Sequence, residues 1–190
     1  MKKLNCLALV AALVMSTASV QAAEIKSGLQ VGEHVGAFTV EKCAGNPEDG
    51  VPVGEKLCYR CMLGNRPVVA VFARNVDDNL ASLVKQLDAL VSKNEDKKMA
   101  SFVNLLGDDE ESLKSAAKSL VEKSRSQHVA VVVPKDYKTG PKNLKLNPKA
   151  DVTVLIYRKG TVEANHAVPV GALNSQAIAA IVSDAKKILN

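Results

Sequence analysis

The chain has 190 residues, of which 47% are hydrophobic and 24% charged, with a formal net charge of +5 at pH 7. That length supports one domain with a real core, and the modest charge argues against a nucleic-acid-binding surface. With no Trp and only 3% aromatics, base-stacking and sugar-binding aromatic platforms are poorly supplied, so the core must be aliphatic.

The first residues, Met1-Lys2-Lys3-Leu4-Asn5, are positive, and Cys6 to Met15 is an apolar run too short to span a membrane. Small residues follow, ending in Val20-Gln21-Ala22, so residues 1–22 read as a secretory signal peptide. Removing 22 residues from 190 leaves 168, residues 23–190, expected as a single domain; losing Lys2 and Lys3 lowers the charge from +5 to +3. The expected location is outside the cytoplasm, periplasmic or extracellular, with no integral membrane segment after cleavage. Cys6 leaves with the peptide, and Cys43, Cys58 and Cys61 remain. In an oxidising compartment two of the three are expected to pair, leaving one thiol idle, intermolecular or chemically used.

Taken in order, Val35, Phe38 and Val40 alternate with polar neighbours through Lys42, predicting a short strand that ends at Cys43. Residues 44–56 hold Gly45, Asn46, Pro47, Asp49, Gly50, Pro52 and Gly54, a wide hairpin loop that Cys43 enters and Cys58 leaves. If the flanking segments pair antiparallel, those two cysteines face each other. Val68 to Ala73 is a buried strand. Leu80, Leu83, Val84, Leu87, Leu90 and Val91 then mark one face of a helix capped by Asp77 or Asp78. Met99 to Leu106 is a strand, and Asp108 with Glu111 opens a helix whose stripe is Leu113, Ala116, Ala117, Leu120 and Val121. The acidic run 108–111 is placed by the helix dipole rather than by a metal. Val129 to Val133 is a strand stopped by Pro134, and a lysine-rich loop follows to Lys149. Val152 to Tyr157 and Thr161 to Val168 form a hairpin, and Asn174 to Leu189 is a final helix.

Strands joined through helices are parallel, and a tight last hairpin is antiparallel. The predicted class is α/β, a central mixed β-sheet flanked by helices with an N-terminal hairpin extension. This order resembles the thioredoxin-like fold. The segments Val31-Gly32-Glu33-His34-Val35-Gly36-Ala37-Phe38-Thr39-Val40, Gly64-Asn65-Arg66-Pro67-Val68-Val69-Ala70-Val71-Phe72 and 152–162 are similar to peroxiredoxins of the alkyl hydroperoxide reductase / thiol-specific antioxidant branch. The resemblance covers nearly the whole of residues 23–190. It implies a reactive cysteine after the strand 68–73, at the start of the next helix, and a cis-proline ahead of the late hairpin. This chain instead has Arg74-Asn75-Val76-Asp77-Asp78-Asn79 in the first place and Ala150-Asp151-Val152-Thr153 in the second. Both departures argue against peroxidase chemistry at that seat.

The remaining chemical signal is Cys58-Tyr59-Arg60-Cys61, which precedes the strand and so belongs at its N-terminal end. Three readings stand. Cys58 and Cys61 can be a relocated redox pair, one attacking and the other resolving, with Arg60 and Arg66 favouring a thiolate. Alternatively, Cys43 bridges Cys58 or Cys61 as a structural staple, closing a loop worth on the order of 3 kcal/mol. Third, the three thiols with His34, His128 or His166 could hold zinc or cuprous copper, although nothing in the spacing brings a His near. Met62 after Cys61 disfavours covalent haem. The expectation is no cofactor and no resident metal, with protein thiols or disulfides as partners of the redox reading.

Overall fold

The computed structural model describes residues 25–189, and the expected signal peptide lies outside them. Seven strands form one sheet: β1 (Val40–Gly45), β2 (Lys56–Leu57), β3 (Val68–Ala73), β4 (Ala100–Leu105), β5 (Val129–Pro134), β6 (Ala150–Arg158) and β7 (Thr161–Pro169). Their spatial order is β2-β1-β5-β4-β3-β6-β7. The pairs β3–β4 and β4–β5 are parallel, and the pairs β3–β6, β6–β7, β1–β5 and β1–β2 are antiparallel. Every residue of β3 and β5 is buried, as near-continuous apolar runs in the parallel part of a sheet require.

Helices α2 (Asp78–Ser92), α3 (Glu110–Ser124) and α4 (Ser175–Lys187) pack on one face, burying the aliphatic set that includes Val69, Val71, Leu83, Leu87, Val103, Leu120, Val131 and Ile181. All six apolar positions expected for α2 are buried, and Asp77 caps it by accepting the Leu80 N–H at 2.8 Å. The cap of α3 is Asp109, one residue later than the capping box predicted, accepting from Ser112 N at 2.8 Å. Glu110 and Glu111 in its first turn pair with Lys114, which also reaches Glu41 of β1 at 3.0 Å. The acidic run is thereby a charge-paired helix start.

Among the described residues the opposite face carries no long helix. It is covered by residues 25–39, a five-residue helix α1 (Tyr59–Leu63) and a 3-10 turn at Lys142–Leu144. Beneath them lie Val40, Tyr59, Leu63, Ala70, Phe72, Phe102, Val132, Leu144 and Leu155. The three phenylalanines meet here, Phe38 lying 6.0 Å from Phe72 and 6.3 Å from Phe102.

The N-terminal hairpin is present but displaced. Strand β1 begins at Val40 and runs through Cys43 to Gly45, because Lys42 and Ala44 pair with the consecutive residues Val132 and Val131 of β5, leaving Cys43 as the extra residue of a bulge. Val35 is buried without belonging to a strand. Among the described residues no helix is long and apolar enough to cross a membrane.

Candidate functional site

Helix α1 has no stability of its own at five residues, far below the length at which isolated helices persist. It is held by what it buries and what caps it. Tyr59 and Leu63 go into the core, and the Tyr59 ring stacks on Phe102 at 5.3 Å. Gly64 ends the helix at φ 58°, a conformation that favours glycine. Cys58 is the N-cap, its Sγ accepting the Cys61 N–H at 3.1 Å. Cys58 and Cys61 are joined as a disulfide with their Cα atoms 5.2 Å apart. Cys61 is exposed and Cys58 half-buried.

Cys43 pairs with neither, which corrects the staple drawn from the sequence. The hairpin register sets Val40 opposite Leu57 and Glu41 opposite Lys56, so Cys58 runs past the end of the pairing while Cys43 lies toward the loop. Alternation then separates them across the sheet. Cys43 is buried with Ala44 and Val129 on the face of the long helices, whereas α1 packs on the other face. Burial, with the nearby Glu41 carboxylate adding to it, pushes the Cys43 thiol up to about 11, which leaves it a protonated, unreactive core residue at neutral pH.

The histidines go to separate places. His34 Nε2 lies 3.3 Å from Arg60 Nη2, His128 faces Asp88, and His166 meets Asp184 at 2.9 Å. With Cys43 on the far face, the three-thiol metal set does not assemble, and no group of three or more metal-ligating residues occurs among the described residues. Arg60 directs its hydrogen bonds to Val35 O at 3.0 Å and Gly64 O at 3.3 Å, tying α1 to the N-terminal segment. Its guanidinium and His34 cover Gly160 in the β6–β7 turn so closely that a Cβ there would lie 2.1 Å from Nη2.

Sequence reading missed the support beneath α1. Asp49, in the hairpin loop, accepts the Tyr59 hydroxyl at 2.5 Å on one oxygen, and Lys42 Nζ at 2.6 Å with Val51 N at 2.9 Å on the other. Lys42 is 1% exposed and also donates to the carbonyls of Asn46 and Val51, both at 2.7 Å. One signal was available. Val40 and Lys42 share a strand face, so a lysine on the core side demanded a buried partner. Alongside α1 lies a cavity of about 250 Å³ lined by Tyr59, Met62, Arg66, Met99 and His128 among others.

At the other end of β3, roughly 20 Å away at about 3.3 Å per residue, Arg74 donates to the carbonyls of Lys138 at 3.1 Å and Thr139 at 3.5 Å. Its backbone N–H bonds Asp151 O at 2.9 Å. No thiol lies in the sequence between β3 and α2. Burial, and then the Asp77 carboxylate, raise the Asp151 carboxyl, with Arg74 partly opposing them. A raised acid binds its proton more tightly folded than unfolded, so its charge costs stability above the ordinary value of 3.8 and costs nothing well below it. Asp151→Asn is therefore expected to raise the melting temperature at pH 7, at about 2–4 °C per kcal/mol relieved, and to leave it unchanged near pH 3. A melt series that shows the same shift at both pH values would refute this.

A candidate protein disulfide isomerase from Bacteroides thetaiotaomicron superposes on this chain with a TM-score of 0.61 at 11% identity, covering 86% of this chain and 92% of its own. AhpC of Mycobacterium tuberculosis gives 0.59 at 10% identity, over 85% and 99%. A secreted M. tuberculosis disulfide oxidoreductase homologous to E. coli DsbE gives 0.53 at 14% identity, over 77% and 94%. The chain has the thioredoxin fold. It carries that fold's sheet with the resemblance to peroxiredoxins and without a cysteine at their reactive position. No protein-family model matches the sequence, and no curated protein matches it.

Proposed function

We propose that the protein is an exported thiol–disulfide oxidoreductase whose redox pair is Cys58 and Cys61, working at the N-terminal end of β3. The observation that carries this is a closed Cys58–Cys61 disulfide with one of its sulfurs on an exposed residue. The solved structures of similar fold include disulfide oxidoreductases, which supports the class of chemistry. Loop size supports it too. Bridging residues three apart contributes about 2 kcal/mol, against about 3 kcal/mol for a loop of about 15 residues. A bridge this short adds little stability for a disulfide, as suits a pair kept for exchange.

In the reducing direction, the Cys61 thiolate attacks one sulfur of a substrate disulfide, forming a mixed disulfide and releasing one substrate thiolate. The Cys58 thiolate then attacks Cys61 Sγ, re-forming the Cys58–Cys61 bond and releasing the second substrate thiolate, so two electrons pass to the substrate. In the oxidising direction the same steps run backwards. The Cys61 N–H stabilises charge on Cys58, whether it attacks or leaves, and the positive charge of Arg60 on the same turn favours the thiolates. Protein thiols or disulfides are the substrate class, and residues 23–190 act as one domain released from a signal peptide at residues 1–22.

Non-reducing peptide mapping should recover Cys58 joined to Cys61 and Cys43 as a thiol. Titration against glutathione should place the bond between about −120 and −270 mV, the range of catalytic dithiols. A bond resisting reduction below about −300 mV would make it structural and remove the enzyme.

A further inference from the structure

Tyr59 stands between the two cysteines in the chain, and its side chain is held at both its ring and its hydroxyl. Tyr59 is 2% exposed with its ring stacked on Phe102, and the hydroxyl donates to the carboxylate of Asp49, a side chain that is itself 8% exposed. That carboxylate is held in turn. Asp49 is fixed by the Lys42 ammonium and the Val51 N–H, and the ammonium spends its remaining donors on two loop carbonyls. A chain of charge-assisted hydrogen bonds thus runs from β1, through the loop of residues 46–55, into the single helical turn that carries both sulfurs.

Resting on the redox reading of Cys58 and Cys61, we infer that Asp49 is the positioning residue of the pair, acting through the Tyr59 hydroxyl. In the reduced protein no covalent bond holds Cys58 near Cys61. Their separation is then set by the backbone of a helix too short to persist alone, and that backbone is set by its anchors. Other bonds of the turn go to carbonyl or sulfur acceptors: Met62 N–H to Cys58 O at 2.9 Å, Cys61 N–H to Cys58 Sγ at 3.1 Å, and Arg60 to Val35 O at 3.0 Å and Gly64 O at 3.3 Å. The bond to the Asp49 carboxylate, at 2.5 Å, is the short ionic one. By holding the turn closed, it keeps the thiols at a high effective concentration for each other and so favours the disulfide over two thiols. The coupling is reciprocal. If the anchor favours the disulfide, the disulfide also strengthens the anchor.

The test uses the mature chain and glutathione alone, two glutathione thiols reducing the Cys58–Cys61 bond to two thiols with formation of one glutathione disulfide. Tyr59→Phe keeps the stacked ring and removes only the hydroxyl. Its disulfide should be reduced about tenfold more readily at equilibrium, the size expected for one hydrogen bond to a charged group. The gain in melting temperature on oxidation should shrink correspondingly. Asp49→Asn, which keeps the shape and removes the charge, should shift the same equilibrium in the same direction. The inference is overturned if Tyr59→Phe lowers the melting temperature of both redox forms equally and leaves the glutathione equilibrium where it was. That result would make the Asp49 contact packing alone. Should Asp49→Asn fail to fold, the Tyr59→Phe equilibrium decides by itself. Since no protein substrate enters the measurement, a wild type inert toward peptide disulfides would count against the proposed function and leave the role of Asp49 to be decided by the glutathione equilibrium.

Discussion

Cys61→Ser is expected to abolish exchange with a peptide disulfide, a loss of at least about 10³-fold, whereas Cys58→Ser should still attack and then stop at a trapped mixed disulfide. The asymmetry follows from exposure. A substrate disulfide must approach in line with the attacking sulfur, and Cys61 is the exposed residue while Cys58 is half-buried at the helix cap. Cys58 Sγ already accepts the Cys61 N–H at 3.1 Å, an arrangement suited to the sulfur that carries charge while the other bonds the substrate. Intact-mass measurement after mixing each variant with a peptide disulfide reads the result directly: Cys58→Ser gains half the substrate, and Cys61→Ser gains nothing. The opposite pattern would reverse the order of attack. Undiminished exchange by both variants would remove these cysteines from the chemistry altogether.

Asp49→Ala is expected to cost about 3–5 kcal/mol, the usual cost of removing one partner of a buried ion pair, and so to lower the melting temperature by about 6–20 °C for a chain of this size. Lys42 is 1% exposed, and without Asp49 its ammonium keeps only the carbonyls of Asn46 and Val51. The Tyr59 hydroxyl and the Val51 N–H lose their acceptor at the same time. Pairing Lys42→Met with Asp49→Asn should recover most of the loss, because an apolar side chain of similar length needs no counter-charge. Thermal melts of the single and double variants check both statements. A drop under about 2 °C for Asp49→Ala, less than about 1 kcal/mol at this size, would mean that Lys42 reaches water and the ion pair holds little.

Most of the architecture was legible because it is written in periods of two and 3.6. The β-branched run Val68–Ala73 and the three-and-four spacing of Leu80 to Val91 are local patterns, and each reappears as β3 and α2. The order of elements then restricted the sheet to a mixed one with a final antiparallel hairpin, as observed. Helix α1 escaped because five residues carry no period, and its existence depends on Phe102 and Asp49, 43 and 10 residues from Tyr59 in the chain.

What the sequence by itself determined is the class of fold, the lack of a cysteine between β3 and α2, and the presence of a Cys-x-x-Cys ahead of β3. What only the tertiary structure decided is which thiols meet. The sequence separation of Cys43 and Cys58 permits a bridge, but pleat alternation from Val40 turns Cys43 toward the long helices, where the bulge keeps Ala44 as well, while α1 settles on the other face. The same alternation buries Lys42, draws Asp49 inward to neutralise it, and leaves Tyr59 a charged acceptor. Pairing of side chains is a property of faces and register, and a two-residue period is flipped by a single inserted residue.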